Sequence, residues 1–307
     1  MNLQRFELLI LGCSSAVPYK GRSPTAQILN IHDQLFLIDC GEGTQNRMME
    51  YQVKRSKINH IFISHLHGDH IFGLPGLINT YSHYGRKEDL HIYGPIGIQD
   101  YIDAILQVTH AHLSYKINFH NLTDASSQTI YEDAHLSVKT IPLKHRIPTL
   151  GYLFTEKKGE RSLNLVAIQQ ANIKPEDFTH IISGKDVMDP DGKCWKADEL
   201  SIPASKPRSY AFCSDTKYTE SILPYITNVN VLYHETTFLD ELKQKAIETG
   251  HSTALEAAMI AKKAQVNLLV SGHYSSRYDD LSSFESEMRT IFSSVILGKE
   301  GMRIDIV

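Results

Sequence analysis

The sequence is poor in the features that mark specialised protein classes. It holds only 4 cysteines in 307 residues (Cys13, Cys40, Cys194 and Cys213), with no CxxC pair and no dense framework. That argues against a disulfide-stapled secreted fold and fits a reduced, cytoplasmic protein. No apolar run reaches the roughly 18 residues a membrane span needs, so no membrane partner is expected. The opening MNLQRFELLILG carries one early arginine and a short apolar stretch. This is too short for a signal-peptide core and reads as a first strand. A global positive field is also missing, since 31 basic residues face 35 acidic ones for a net charge of −4. Any anionic partner must therefore be met by a local patch or a bound cation. Low-complexity segments and short repeats are absent.

What remains is an ordinary globular composition, 42% hydrophobic and 21% charged, able to bury a sizeable core. At roughly 150 residues per domain, the length suits two domains or one large domain with an insertion. Short apolar runs read as strands: 6–11, 27–31, 35–39, 60–64, 90–93, 137–141, 210–213, 229–233 and 268–271. Their continuity implies burial on both faces, hence sheets covered by helices. Helical patterns fall near 44–52, 73–84, 96–108, 253–263 and 281–293. Thr253 and Glu256 have the spacing of a capping box, which starts a helix just after His251. The stretch 156–208 breaks the rhythm: it is polar, charge-balanced and punctuated by Gly and Pro, and reads as an excursion from the core.

Histidine is the abundant residue, with 16 copies. Several strands run directly into a His or Asp, at His65, Asp215, His234 and His273. Functional groups gather at strand C-termini in α/β proteins, so four such strands in one sheet system would bring these tips together. The densest signal is Ser64-His65-Leu66-His67-Gly68-Asp69-His70. Gly68 permits a tight turn, so that three imidazoles and a carboxylate can face a common centre. Nitrogen and oxygen donors in this mix suit Zn2+, with Mn2+ or Fe2+ as substitutes.

The HxHxDH pattern after a strand resembles the metallo-β-lactamase superfamily, and the chain resembles its ribonuclease Z branch, short form, over nearly all its length. Four further features carry this. Pro18-Tyr19-Lys20-Gly21-Arg22 is similar to that family's PxKxR loop, His234-Glu235-Thr236-Thr237 to its HEAT motif, and His251-Ser252-Thr253 to its HST motif. The excursion at about 156–208 stands where the family carries a flexible tRNA-binding arm. Ser23 replaces an Asn, Thr236 an Ala, and the arm lacks the family's Gly-Pro element.

The resemblance implies an α/β fold of αββα type, two mixed sheets flanked by helices, in a single domain of residues 1–307 with the inserted arm. It implies a homodimer and two Zn2+ per chain. His65, His67, His145 and Asp215 would hold one ion, and Asp69, His70, Asp215 and His273 the other, with Asp215 bridging. The implied activity is zinc-dependent endonucleolytic removal of 3′ trailers from tRNA precursors by hydroxide attack, leaving a 3′-hydroxyl on the tRNA and a 5′-phosphate on the trailer. Asp69 would accept the proton of the attacking water, His251 oriented by Glu235 would protonate the leaving 3′-oxygen, and Lys20 and Arg22 would contact substrate. The basic cluster Arg47, Lys54, Arg55 and Lys57 reads as a solvated face, and Tyr81, Tyr84, Tyr93 and Tyr101 as packing residues. The alternative is a small-molecule phosphodiesterase or another hydrolase of the same superfamily, since a fold does not choose its chemistry. A non-catalytic binding subunit is opposed by the complete set of seven candidate ligands.

Overall fold

In the strand Phe6–Gly12, every residue is buried. Leu9 and Leu11 point to one side and join a core cluster with helical residues. Leu8 and Ile10 point to the other, because successive side chains on a strand alternate in direction. A strand buried on both faces requires a covering layer on each side, and the computed structural model, which describes residues 4–307, supplies both.

Two seven-stranded sheets form the centre. The first runs in the order Arg303–Asp305, Phe6–Gly12, Ala26–Ile31, Gln34–Ile38, Ile58–Phe62, Leu90–Pro95, Ile117–Leu122. Its first pairings are antiparallel and the last three are parallel. The second runs Val295–Leu297, Leu268–Gly272, Val231–Glu235, Ser209–Cys213, Leu150–Glu156, Leu136–Pro142, Thr129–Glu132. Its first three pairings are parallel. The inner faces meet through aromatic side chains. Phe62 lies 5.3 Å from both Tyr152 and Phe154 in edge-on contacts. Such edge contacts add about 0.5–1.5 kcal/mol each beyond area burial.

The helices Leu74–His83 and Ile98–Val108 cover the outer face of the first sheet, inserting Leu77, Ile78, Ile98 and Ile102 beside Leu9, Leu37, Ile61 and Ile92. The helices Ala254–Lys263 and Ser282–Arg289 pack on the second. The result is an αββα sandwich. The helix after His251 starts as its sequence predicts: Thr253 Oγ1 accepts from Glu256 N at 3.2 Å, and Glu256 Oε2 accepts from Thr253 N at 3.1 Å.

Residues 155–207, with 132–137, form a compact unit of their own; the remaining described residues form the other. The smaller unit contains the helices Leu165–Gln170, Phe178–Ile182 and Ala197–Leu200. Asn164 caps the first, its Oδ1 accepting from Ala167 N at 3.2 Å. Ile168, Ala171, Ile173, Ile181, Val187 and Leu200 make its core. Polar composition and frequent Gly and Pro had hidden this small folded body, because a core of six buried residues spread over about fifty positions leaves little periodic signal.

Candidate metal centre

The strand Ile58–Phe62 delivers the chain to Ser64 and His65, and a short helical turn, Gly68–Ile71, carries Asp69 and His70. A Cβ on Gly68 would meet only the ring of the exposed Phe72, which is free to swing aside. The strand Ser209–Cys213 leads to Asp215, and Leu268–Gly272 leads to His273, whose φ of 61° is left-handed. His145 follows the strand Leu136–Pro142. It is drawn to Asp215 by hydrogen bonds of the neighbouring residues: Lys144 N donates to the Thr216 side-chain Oγ1 at 3.1 Å and Lys217 N to the backbone Lys144 O at 2.9 Å.

These segments bring the seven candidate ligands together. Donor atoms of His65, His67, His145 and Asp215 lie within 4.8 Å of one another, and so do those of Asp69, His70 and His273. Asp215 touches both groups with separate oxygens. Its Oδ2 is 3.5 Å from His65 Nε2 and 3.7 Å from His145 Nε2. Its Oδ1 is 3.3 Å from His70 Nε2 and 3.1 Å from His273 Nε2. Asp69 Oδ2 closes the second group, 3.3 Å from His273 Nε2 and 3.5 Å from His70 Nε2.

The donors fit a pair of divalent cations. Each histidine that offers Nε2 has its other nitrogen committed elsewhere, which fixes the tautomer a ligand needs. His65 Nδ1 is 3.0 Å from Ser64 Oγ, His70 Nδ1 is 2.7 Å from Asp39 Oδ2, His145 Nδ1 is 2.7 Å from Gly250 O, and His273 Nδ1 is 2.9 Å from Thr237 Oγ1. The buried His70 Nε2 has no hydrogen-bond partner, although it is aimed at the space between the two aspartates. A buried polar atom in that state calls for a partner of another kind.

Asp39, Ser64, Thr237 and Gly250 were not among the site residues read from the sequence. Asp39 was within reach, because the run LFLID also ends a buried strand in a carboxylate. It is fully buried, with a left-handed φ of 55°, and accepts from Ser64 N at 2.7 Å and Ser64 Oγ at 2.8 Å. Thr237 stood within the motif His234–Thr237 but was given no role there, and Gly250 had no such signal, since its contact with His145 joins segments 105 residues apart.

The electrostatics separate the histidines into two kinds. Burial pushes His67 down to about 4, with the neighbouring His65 adding to the effect. Burial likewise lowers His65 and His145. These rings are neutral with lone pairs available. His70 goes the other way: burial opposes its charge, but Asp69, Asp215 and Asp39 raise it well above the ordinary value. Burial would raise Asp69 and Asp215 as well, yet the facing His70 and His273 hold both well below the usual carboxylate range. Without cations, a proton on His70 supplies the counter-charge.

Beside the cage stands a second unit of chemistry. His251 Nδ1 is 2.9 Å from Glu235 Oε1, and both side chains are buried. Burial would lower His251, but the Glu235 carboxylate and its hydrogen bond raise it to about 9. The third group of potential ligands joins Asp215, His251 and His273. With Nδ1 already given to Glu235, His251 is better suited to moving a proton than to holding an ion. His234, by contrast, does not join the cage. The strand extends through Glu235, so His234 and Glu235 point to opposite faces, and the His234 ring is buried with Nδ1 2.8 Å from Glu235 O. The four strand tips also do not share a sheet: His65 follows a strand of the first sheet, the others strands of the second.

Lys20 and Arg22 sit on a loop that approaches the cage through Ala16, whose N donates to Asp69 Oδ2 at 2.7 Å. Lys20 Nζ is 2.6 Å from Asp279 Oδ2, and Arg22 donates to Tyr278 O at 2.7 Å. Arg47 is anchored on the same loop, donating to Ser23 Oγ at 2.9 Å and to Gly21 O.

An αββα sandwich with a seven-donor cluster at the strand ends of its two sheets, of a kind that could hold metal, defines a metallo-β-lactamase-fold protein. The family model described as "Anti-Pycsar protein Apyc1" matches residues 6–294. Ribonuclease Z of Parabacteroides distasonis is 46% identical over 301 residues, covering 98% of this chain and 99% of the relative. Ribonuclease Z of Porphyromonas gingivalis is 43% identical with the same coverage. Among solved structures, the short form of human tRNase Z superposes with a TM-score of 0.72 at 28% identity, over 98% of this chain and 99% of that one. The chain belongs to the family that this model describes and, by its full-length identity to these relatives, to the ribonuclease Z family.

Proposed function

We propose that this chain is an endoribonuclease that removes 3′ trailers from tRNA precursors. Its relatives named ribonuclease Z support this, and the observation that carries it is the buried Glu235–His251 pair beside the cage, placed to deliver a proton to a poor leaving group. His65, His67, His145, Asp69, His70, His273 and Asp215 would hold two divalent ions, zinc in our reading, with manganese or iron as substitutes. Bound there, the ions supply Lewis acidity, neutralising phosphate charge and making water a stronger acid.

The chain's own groups move the protons. A water oxygen attacks phosphorus, and Asp69 takes the proton this water loses. The bond from phosphorus to the ribose 3′-oxygen breaks, and that oxygen, a poor leaving group as an alkoxide, takes a proton from His251 Nε2. Glu235 holds the His251 ring and stabilises its charge through Nδ1. The products are a 3′-hydroxyl on the tRNA and a 5′-phosphate on the trailer. Lys20 and Arg22 contact the substrate near its 3′ end once Lys20 exchanges Asp279 for a phosphate, and the unit at 156–208 is the arm that contacts tRNA. The enzyme acts as a homodimer in the cytoplasm.

Metal-loaded protein incubated with a 3′-extended tRNA precursor tests this reading. Product mapping should place the cut just after the discriminator nucleotide, with a 3′-hydroxyl on the tRNA. Hydrolysis of small phosphodiesters with an uncut precursor would transfer the assignment to a small-molecule phosphodiesterase.

A further inference from the structure

The buried Thr237 hydroxyl stands between the two chemical units of the site. Its Oγ1 is 2.9 Å from His273 Nδ1, 2.5 Å from Glu235 Oε2 and 3.3 Å from His251 Nδ1. The directions of these hydrogen bonds follow from the groups themselves. His273 turns Nε2 toward Asp69 and Asp215, where a cation needs the lone pair, so the ring proton is on Nδ1 and is donated to Thr237 Oγ1. A hydroxyl carries one proton, and Glu235 Oε2 is an acceptor, so Thr237 donates to Glu235. The other oxygen of that carboxylate receives His251 Nδ1 at 2.9 Å. The backbone locks the arrangement: Thr237 N donates to Glu235 Oε2 at 3.1 Å and Thr216 N to Glu235 Oε1 at 2.9 Å.

We infer that Thr237 is a positioning residue that couples the cation ligand His273 to the proton-delivering pair Glu235–His251. Hydrogen bonds converge on Glu235 from both sides, from His273 through Thr237 on one oxygen and from His251 on the other, and this network sets the tautomer of the ligand and aims the His251 ring. A side chain without the hydroxyl strands a buried N–H on His273 and removes one of the four donors that hold Glu235. Serine keeps the hydroxyl; valine keeps the shape and loses it. The inference rests on the reading of His251 as the proton donor.

The test compares Thr237→Val, Thr237→Ser, His251→Ala and the double variant Thr237→Val/His251→Ala. Each is assayed on a tRNA precursor and on bis-p-nitrophenyl phosphate, whose leaving group needs no proton. Metal content is measured in parallel, together with the downfield imidazole N–H resonances of the zinc-loaded protein. Loss of an outer hydrogen-bond partner of a metal site typically costs about 10–100-fold, so Thr237→Val should lose that much kcat on the precursor with KM unchanged. Thr237→Ser should recover most of it. The double variant should be no slower than His251→Ala, and the His273 N–H resonance should shift in Thr237→Val but not in Thr237→Ser. Wild-type kcat in Thr237→Val, or a double variant slower by the product of the two single losses, would overturn the coupling. If instead His251→Ala costs as much on the activated ester as on the precursor, the assignment of His251 as proton donor fails, while the hydrogen-bond network is judged separately by the resonances.

Discussion

The carboxylate of Asp39 lies 2.7 Å from His70 Nδ1, with both side chains fully withdrawn from solvent. This contact fixes the one imidazole of the cage, among the described residues, whose cage-facing Nε2 is buried without a hydrogen bond. Asp39→Ala should therefore weaken metal binding by about 10–100-fold, by freeing the His70 ring and removing a neighbouring charge. Competition with a chromogenic chelator measures it; wild-type affinity would show that the cage orients His70 without help.

Asp69 and His251 should separate in their effects. Asp69→Ala should abolish turnover, because the proposed mechanism uses the residue both as a ligand and as the base. His251→Ala should slow precursor cleavage by about 10²–10⁴-fold, the usual contribution of a positioned acid, while elemental analysis still finds two ions per chain. Loss of metal from the His251 variant would make it a ligand.

The metal-free protein should lose stability as pH rises. His251, raised to about 9 from 6.5, binds its proton more tightly when folded. Its contribution is complete below about pH 6.5 and disappears as pH climbs through 9. His70 is raised in the same sense and adds to the slope. Urea midpoints between pH 7 and 9.5, above the range where the lowered His65, His67 and His145 act in the opposite sense, should fall for the wild type in the presence of a chelator and fall less for Glu235→Gln. A flat profile would contradict the raised values. Cation uptake should also release about one proton or more at neutral pH, since His70 must give up its own. Calorimetry in buffers of different ionisation enthalpy reads that number.

Gly250 has a φ of +77°, and a Cβ there would stand 2.9 Å from His145 Nδ1. Gly250→Ala should displace His145 and reduce occupancy of the ion it shares with His65 and His67. The backbone strain adds roughly 1–2 kcal/mol of destabilisation. Thermal unfolding and metal content together check this, and full occupancy would mean that the loop yields instead.

Replacing residues 156–207 with a short Gly-Ser linker should reduce kcat/KM for a tRNA precursor far more than for bis-p-nitrophenyl phosphate. Equal losses on both substrates would assign that unit a structural role.

Much of the architecture could be read along the chain. Unbroken apolar runs such as FELLIL and LFLID mark strands covered on both faces, and the Thr253–Glu256 spacing marks a helix start. Edge segments escaped: 117–122 and 129–132 are half-exposed and mix apolar with polar residues, so neither alternation nor continuity stands out. The motif His65–His70 could be read because its donors are adjacent in sequence. His145 could not be told from a surface histidine beside Lys144 and Arg146 without the resemblance, since its placement depends on hydrogen bonds between its neighbour and the segment after Asp215.

The order of residues by itself fixed the donor chemistry, five imidazoles and two aspartates, and the local turns that present them, because ligand type and tight-turn geometry are short-range properties. Tertiary structure alone decided which oxygen of Asp215 meets which histidine, that Glu235 rather than His234 faces the cage, and that Asp39, Thr237 and Gly250 hold the ligands in place. These are contacts between segments up to about two hundred residues apart, created only when two sheets stack and their strand ends converge.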